Sequence, residues 1–241
     1  MTNSVTFNVT TQRGATVEVN AEFPGGSGPF PAIVLAPGQG YHMACAAMEQ
    51  TARSLVSHGI AVYRFNWAYF TATPHPGSPS EDLAHELQDM NAVLAIAEEE
   101  PRVARGKLSV GGKSLGSIVA WRVLAGNPLL QVGLFLTPIC SHIPDGQSAP
   151  RSVADETYPG VAAESRPLLF ISGDQDPQCA LPILYRFAAN AGSRARVSIV
   201  GGNHNFEAPA LTADASIEAH ARNLRAVAHI AANFLTEVTA R

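Results

Sequence analysis

Six short runs of strand-forming residues recur along this chain, and stretches with helical periodicity separate most of them. The runs are Ala32–Ala36, Ile60–Phe65, Leu108–Val110, Val132–Leu136, Leu168–Ser172 and Arg196–Val200. Most are apolar throughout instead of alternating with polar residues, which is the pattern of strands covered on both faces. Between them, Met43 to His58 places Met48, Ala52 and Leu55 on one helical face, with Gly59 as the stop. A longer helix carries Leu83, Leu87, Met90, Leu94 and Ala97 at helical spacing, with Ser80 as its cap and Glu81 and Asp82 in its first turn. Another is expected near Leu181 to Ala191, and the closing helix aligns Ile217, Ala221, Leu224, Ala228, Ala231 and Leu235. Alternation of this kind builds an α/β fold, a mostly parallel central sheet with helices on both faces and functional loops at the carboxyl ends of the strands.

Ahead of this region, Ser4 to Thr11 and Thr16 to Phe23 alternate polar and apolar residues around Gly14, which reads as an antiparallel hairpin at a sheet edge. No internal repeat or linker interrupts the pattern, so residues 1–241 are read as a single domain. The stretch from Ser141 to Arg166 is polar, holds Pro and Gly, and is too short for a large lid domain.

One of the runs ends in a motif that carries chemistry. Lys107-Leu-Ser-Val leads into Gly-Gly-Lys-Ser-Leu-Gly116, and Ile118 to Ala125 then forms an almost wholly apolar helix stopped by Gly126-Asn-Pro128. Gly112-x-Ser114-x-Gly116 thus sits between a strand and a helix. Glycines on either side of such a serine remove the Cβ atoms that would clash where the two backbones converge, leaving the hydroxyl at the tip of a tight turn. The five-residue pattern alone arises by chance in roughly one chain in ten of this length, so the flanking strand and helix carry the assignment. A phosphate-binding loop would need glycine at position 107, where Lys107 stands, and Gly106 lies one residue too early.

A serine hydroxyl needs a base, and the base needs an anion to fix its tautomer and steady its charge. Of the eight histidines, His204 follows a strand in the glycine-rich loop Gly201-Gly-Asn-His-Asn-Phe206. His58 ends a helix and His85, His220 and His229 lie within helices, while His42, His75 and His142 fall in loops where they could at most line a pocket. The acid comes from Gly173-Asp-Gln-Asp-Pro177: Asp176 is favoured because the chain doubles back at Pro177, and Asp174 is the alternative, with an Asx turn as its other role. The order Ser114, Asp176, His204, each after a strand, is that of the α/β-hydrolases. Two N–H donors must also face the developing oxyanion. Leu115, at the start of the helix, and Gln39, in the loop Pro37-Gly-Gln-Gly40, are the candidates. Asn66, Trp67, Tyr69, Cys140 and Phe206 are pocket candidates by position.

These residues resemble the α/β-hydrolase superfamily across nearly the whole chain. More narrowly, Val110-Gly-Gly-Lys-Ser-Leu-Gly116, Tyr63-Arg-Phe-Asn66 and Gly173-Asp-Gln-Asp-Pro177 resemble the small hydrolase-like family that includes a testis-expressed protein and a subunit of the NSL histone acetyltransferase complex. The Gly-x-x-Asp-Pro form of that family's acid loop implies Asp176. Its first loop usually reads His-Gly, where this chain has Pro37-Gly38. The resemblance implies an α/β-hydrolase fold and a Ser-His-Asp triad.

Composition bounds the function further. Net charge is −4 without a Lys/Arg cluster, so no nucleic-acid footprint is present. Hydrophobic residues make up 46% and charged residues 15%, which suits a compact enzyme. No apolar run reaches the ~18 residues of a membrane span, and a cytoplasmic location without membrane association is expected. Cys45, Cys140 and Cys179 are widely spaced and suggest buried thiols instead of a disulfide framework or a zinc site. The expectation is a serine hydrolase, a carboxylesterase that takes small or medium acyl esters and needs no cofactor or metal. The rival is a binding or scaffolding protein that keeps this fold without turnover.

Overall fold

The computed structural model describes residues 3–72, 76–192, 195–208 and 212–240. It opens with the expected hairpin, β1 (Asn3–Thr10) antiparallel to β2 (Thr16–Phe23), with Asn3 opposite Phe23 and Thr10 opposite Thr16. There follow β3 (Phe30–Ala36), α1 (Ala46–Ser57), β4 (Ala61–Phe65), α2 (Ala84–Glu99), β5 (Val103–Lys113), α3 (Leu115–Gly126) and β6 (Gly133–Leu136). The polar segment after β6 forms a small ribbon, β7 (Ser141–His142) against β8 (Arg151–Ser152), and one turn of helix, α4 (Ala154–Thr157). The chain ends with β9 (Leu168–Gly173), α5 (Leu181–Asn190), β10 (Ala195–Val200) and α6 (Ala213–Thr239).

Eight strands form one sheet in the order β1-β2-β4-β3-β5-β6-β9-β10, and every pairing from β4 to β10 is parallel. The chain leaves β3 toward β4 on one side and then crosses to β5 on the other. Loops after β3 and β5 therefore diverge, which opens a crevice at the carboxyl ends of those strands. No large lid domain covers it.

Strand periodicity sorts the core into two layers. Ala32, Val34 and Ala36 face one way with Phe135, Leu168 and Phe170, and pack against α2, α3 and α5. Ile33 and Leu35 face the other way with Leu134, Leu136, Leu169 and Ile171, and pack against α1 and α6. Apolar side chains on both faces of each central strand explain why these runs show no alternation.

Two helix starts differ from expectation. Ser80 does not cap α2, because Leu83 adopts a left-handed φ of 62° and the helix begins only at Ala84. The Ser80 hydroxyl instead donates to Glu86 Oε2 at 2.6 Å and accepts from the His85 amide at 3.2 Å, so Glu81 and Asp82 lie before the helix. In α6 the first turns project past the sheet: Ile217 is 67% exposed, and the buried face begins at Ala219. The strand before Ser114 starts earlier than its apolar run, since Phe30 pairs with Val103 before the register shifts and Ala32 pairs with Leu108. Among the described residues, no helix is long and apolar enough to cross a membrane.

Candidate active site

β5 delivers Ser114 to the crevice through a turn that only small neighbours permit. A Cβ on Gly112 would strike the Gly116 backbone, and one on Gly116 would strike the Ala36 carbonyl. Strand β5, helix α3 and the end of β3 thus touch backbone to backbone. Ser114 has φ 54° and ψ −121°, a strained conformation for a residue with a side chain. Its N–H donates to the Leu136 carbonyl at 2.9 Å, and its own carbonyl accepts from Ser117 Oγ at 2.6 Å. Ser117 is bonded in turn to the fully covered Tyr158 hydroxyl at 2.7 Å. The strain is held in place from both sides.

His204 and Asp176 meet this serine from two other loops. His204 Nε2 lies 2.9 Å from Ser114 Oγ, and His204 Nδ1 lies 2.9 Å from Asp176 Oδ2 and 3.0 Å from Oδ1. The Asp176 side chain is 0% exposed and that of His204 12%, so water reaches the imidazole only at its edge. Asp176 Oδ1 also accepts from the Gln178 amide at 2.9 Å, which fixes the carboxylate plane. Asp174, two residues earlier, turns the other way and accepts the Gly202 amide at 2.7 Å. It is a strut between the acid and histidine loops, which run so close that a Cβ on Gly173 would strike the Gly202 carbonyl.

The loop after β3 lies against Ser114. A Cβ on Gly38 would sit 3.3 Å from Ser114 Cβ, with Gln39 next to it and exposed. Leu115 is the first residue of α3, so its N–H is among those that a helix leaves without an intrahelical acceptor. Ser114 is thus flanked by both backbone segments expected to supply donors.

Pocket candidates fare differently. Asn66, Trp67, Cys140 and Phe206 have no exposed surface in this conformation, so they act on a ligand only through what they hold. Trp67 donates its indole N–H to the Pro37 carbonyl at 3.0 Å and thereby supports the loop beside Ser114. The Asn66 carbonyl oxygen accepts from the Met43 amide at 2.8 Å, and its amide group donates to Glu18 at 2.7 Å. Cys140 packs beside Cys179 behind the acid loop, where the hydrogen bond to that thiol and then burial raise its pKa far above the usual range. Phe206 belongs to the α1/α6 layer. Tyr69 alone of the five is half-buried, stacked on Trp67 with ring centroids 6.4 Å apart, and burial pushes its phenol pKa up. His42 bonds Asn66 Nδ2 at 3.0 Å, His142 is exposed on β7, and His75 lies outside the described residues.

Sequence reasoning missed Lys113. It is 1% exposed, and burial lowers its pKa to about 8. Strand alternation held the signal, because position 113 shares the face of Gly111, which packs on Leu35 and Leu134. Thr137, at the end of β6, is also fully buried with φ 42°, a rare conformation for a β-branched residue. Among the described residues, no group of three or more His, Cys, Asp or Glu side chains could hold a metal ion.

A strained serine at a strand-to-helix turn, approached by an imidazole and a carboxylate from later loops of a mostly parallel sheet, defines a fold class. Residues 30–236 match the family model for an alpha/beta hydrolase domain, and the chain belongs to that family. Solved structures similar to it include Est1E from Butyrivibrio proteoclasticus, with a TM-score of 0.72 at 14% identity over 98% of this chain and 99% of that one. An alpha-beta serine hydrolase homologue from Coxiella burnetii gives a TM-score of 0.71 at 18% identity, covering 97% of each chain. XC6422 from Xanthomonas campestris, described as an a/b serine hydrolase without lid, gives 0.67 at 17% identity over 98% of this chain and 94% of that one. No curated protein matches the sequence. These matches carry the likeness to the superfamily and not to the narrower family of the testis-expressed protein and the NSL subunit.

Proposed function

We propose that this protein is a serine hydrolase, a carboxylesterase acting on small or medium acyl esters through an acyl-enzyme. The observation that carries the reading is the contiguous path from Ser114 Oγ to His204 Nε2, at 2.9 Å, and from His204 Nδ1 to the buried Asp176, at 2.9 Å. His204 accepts the Ser114 proton as Oγ bonds to the ester carbonyl carbon, and Asp176 steadies the imidazolium. Negative charge moves to the carbonyl oxygen, where the Gln39 and Leu115 N–H groups receive it. Collapse of the adduct expels the alcohol, which takes the proton from His204. Water then repeats the sequence on the acyl-enzyme, releasing the carboxylic acid and restoring Ser114.

The reading gains support from the family, and from neighbours that are themselves described as serine hydrolases or, in one case, as bound to ferulic acid. The short ribbon and helical turn after β6 leave the crevice without a large cover, which suits substrates that diffuse singly from water. Three free thiols fit a reducing cytoplasm. The test is hydrolysis of p-nitrophenyl acetate by the parent and by Ser114→Ala, together with fluorophosphonate labelling mapped by peptide mass. Turnover and labelling that vanish in Ser114→Ala are expected. An inactive, unlabelled parent would leave the reading of a binding protein that keeps the fold without chemistry.

A further inference from the structure

Tyr41 stands where three loops meet. Its ring packs on the loop beside the nucleophile, since Tyr41 Cδ2 lies 2.9 Å from where a Gly38 Cβ would be, and its N–H donates to the Gly38 carbonyl at 3.3 Å. Its hydroxyl donates to Asn205 Oδ1 at 2.8 Å, one residue past His204. Its ring face receives Lys113, one residue before Ser114, with Nζ 4.5 Å from the ring centroid. Tyr41 therefore touches the immediate chain neighbours of both Ser114 and His204 as well as the candidate oxyanion loop.

Lys113 makes this junction unusual. Its ammonium is buried and finds no hydrogen-bond acceptor among the described residues. A desolvated cation without an acceptor is costly, and the electron-rich face of an aromatic ring is its principal compensation here. The loop from Pro37 to Gly40 is held at both ends by aromatic residues. Trp67 holds its entry through the Pro37 carbonyl. Tyr41 holds its exit.

We propose that Tyr41 is a positioning residue that locks the oxyanion loop to the nucleophile and histidine loops, and that the Lys113 cation keeps its ring in place. Loss of that charge frees the ring and loosens Gly38 to Gly40. The charge is lost within an accessible pH range, because burial brings Lys113 down to about 8. Cys45, ahead of α1, Asp176, in the acid loop, and Glu207, after His204, face the ammonium and oppose that loss, and the Tyr41 phenol lies against it.

The kinetic arm of this inference rests on the serine hydrolase reading, so a second arm does not. Four variants suffice: Tyr41→Phe, Tyr41→Leu, Lys113→Met and Lys113→Arg. Ester turnover is followed against pH, alongside hydrogen exchange of the 38–41 and 203–206 peptides corrected for intrinsic rate, and thermal unfolding. Tyr41→Leu is expected to lower kcat by about 10- to 100-fold with KM little changed, as misplacing one oxyanion donor would. Tyr41→Phe, which keeps the ring, should lose less. Lys113→Met should lower kcat while leaving the melting temperature unchanged or higher, since it removes a buried unpaired charge. A merely structural role would lower both. In the parent, kcat should fall and loop exchange quicken as pH rises through about 8, whereas Lys113→Met is flat and Lys113→Arg moves the fall to higher pH.

Unchanged loop exchange in Tyr41→Leu and Lys113→Met overturns the brace, whether or not the parent turns over ester. An inactive parent whose loop exchange still responds to both variants and to pH sinks the hydrolase reading and leaves the brace standing.

Discussion

Two carboxylates, one in the acid loop and one on α2, are equally hidden from water and have different partners. Asp176 and Asp89 both have side chains that are 0% exposed, and both accept a backbone amide. Asp89, on α2, closes its remaining valence on Arg13 at 2.6 Å while holding the Ala68 amide at 2.9 Å. Burial still pushes its carboxyl above the usual range, with the Ala68 amide and Arg13 working against that rise. Every partner there is a fixed donor, so the group ties the turn after β4 to α2 and to the first hairpin. Asp176 closes on an imidazole whose far nitrogen faces a hydroxyl. A buried carboxylate becomes part of a proton relay only when its partner can itself gain and lose a proton.

The widest separation between the two should come from removing each charge. Asp176→Asn is expected to lower ester kcat by about 10³- to 10⁴-fold with little change in melting temperature, because the imidazole loses its orienting anion. Asp89→Ala should do the reverse. It leaves the Ala68 amide without its acceptor and Arg13 with only the His85 carbonyl, and urea unfolding should show a loss of about 2–3 kcal/mol while kcat of the folded fraction holds.

A third carboxylate sharpens the contrast from within one loop. Asp174→Ala should cost about 1 kcal/mol in urea, since Asp174 is exposed and water can replace it at the Gly202 amide. Its effect on kcat should stay far below that of Asp176→Asn, and equal effects would erase the distinction between strut and relay. The last contrast sets a buried cation against these carboxylates: Lys113. Its folded pKa of about 8 lies below the ordinary 10.5, so the unfolded chain binds more protons between those values. Stability should rise with pH across that window, and Lys113→Met should abolish the rise in chemical denaturation curves.

Much of this arrangement was legible one strand at a time. The apolar runs at Ala32–Ala36 and Leu168–Ser172 announced strands covered on both sides, and both lie inside the sheet. The order of Ser114, Asp176 and His204 along the chain pointed to three loops on one rim, and the structure brings those loops together. Ser80 misled on position: its hydroxyl does meet a first-turn amide, that of His85, but Leu83 stands at the N-cap and the hydroxyl donates to Glu86. Ile217 misled because helical spacing continues past the edge of the surface it would cover. Trp67 and Asn66, expected to line a pocket, are fully covered and hold Pro37 and Met43, and nothing local showed that they would be supports and not walls.

The sequence by itself determined the alternation of strands and helices, the tight turn around Ser114 and the chain order of the chemical groups. Each follows from periodicity or backbone sterics over a few neighbouring residues. Only the tertiary structure decided that Asp176 and not Asp174 meets His204, and that the Lys113 ammonium lies over a tyrosine ring without a hydrogen-bonded acid. Those pairings span 28 positions for the first and join separate loops for the second. They depend on how strands are ordered in the sheet, and side-chain chemistry along the chain does not encode that order locally.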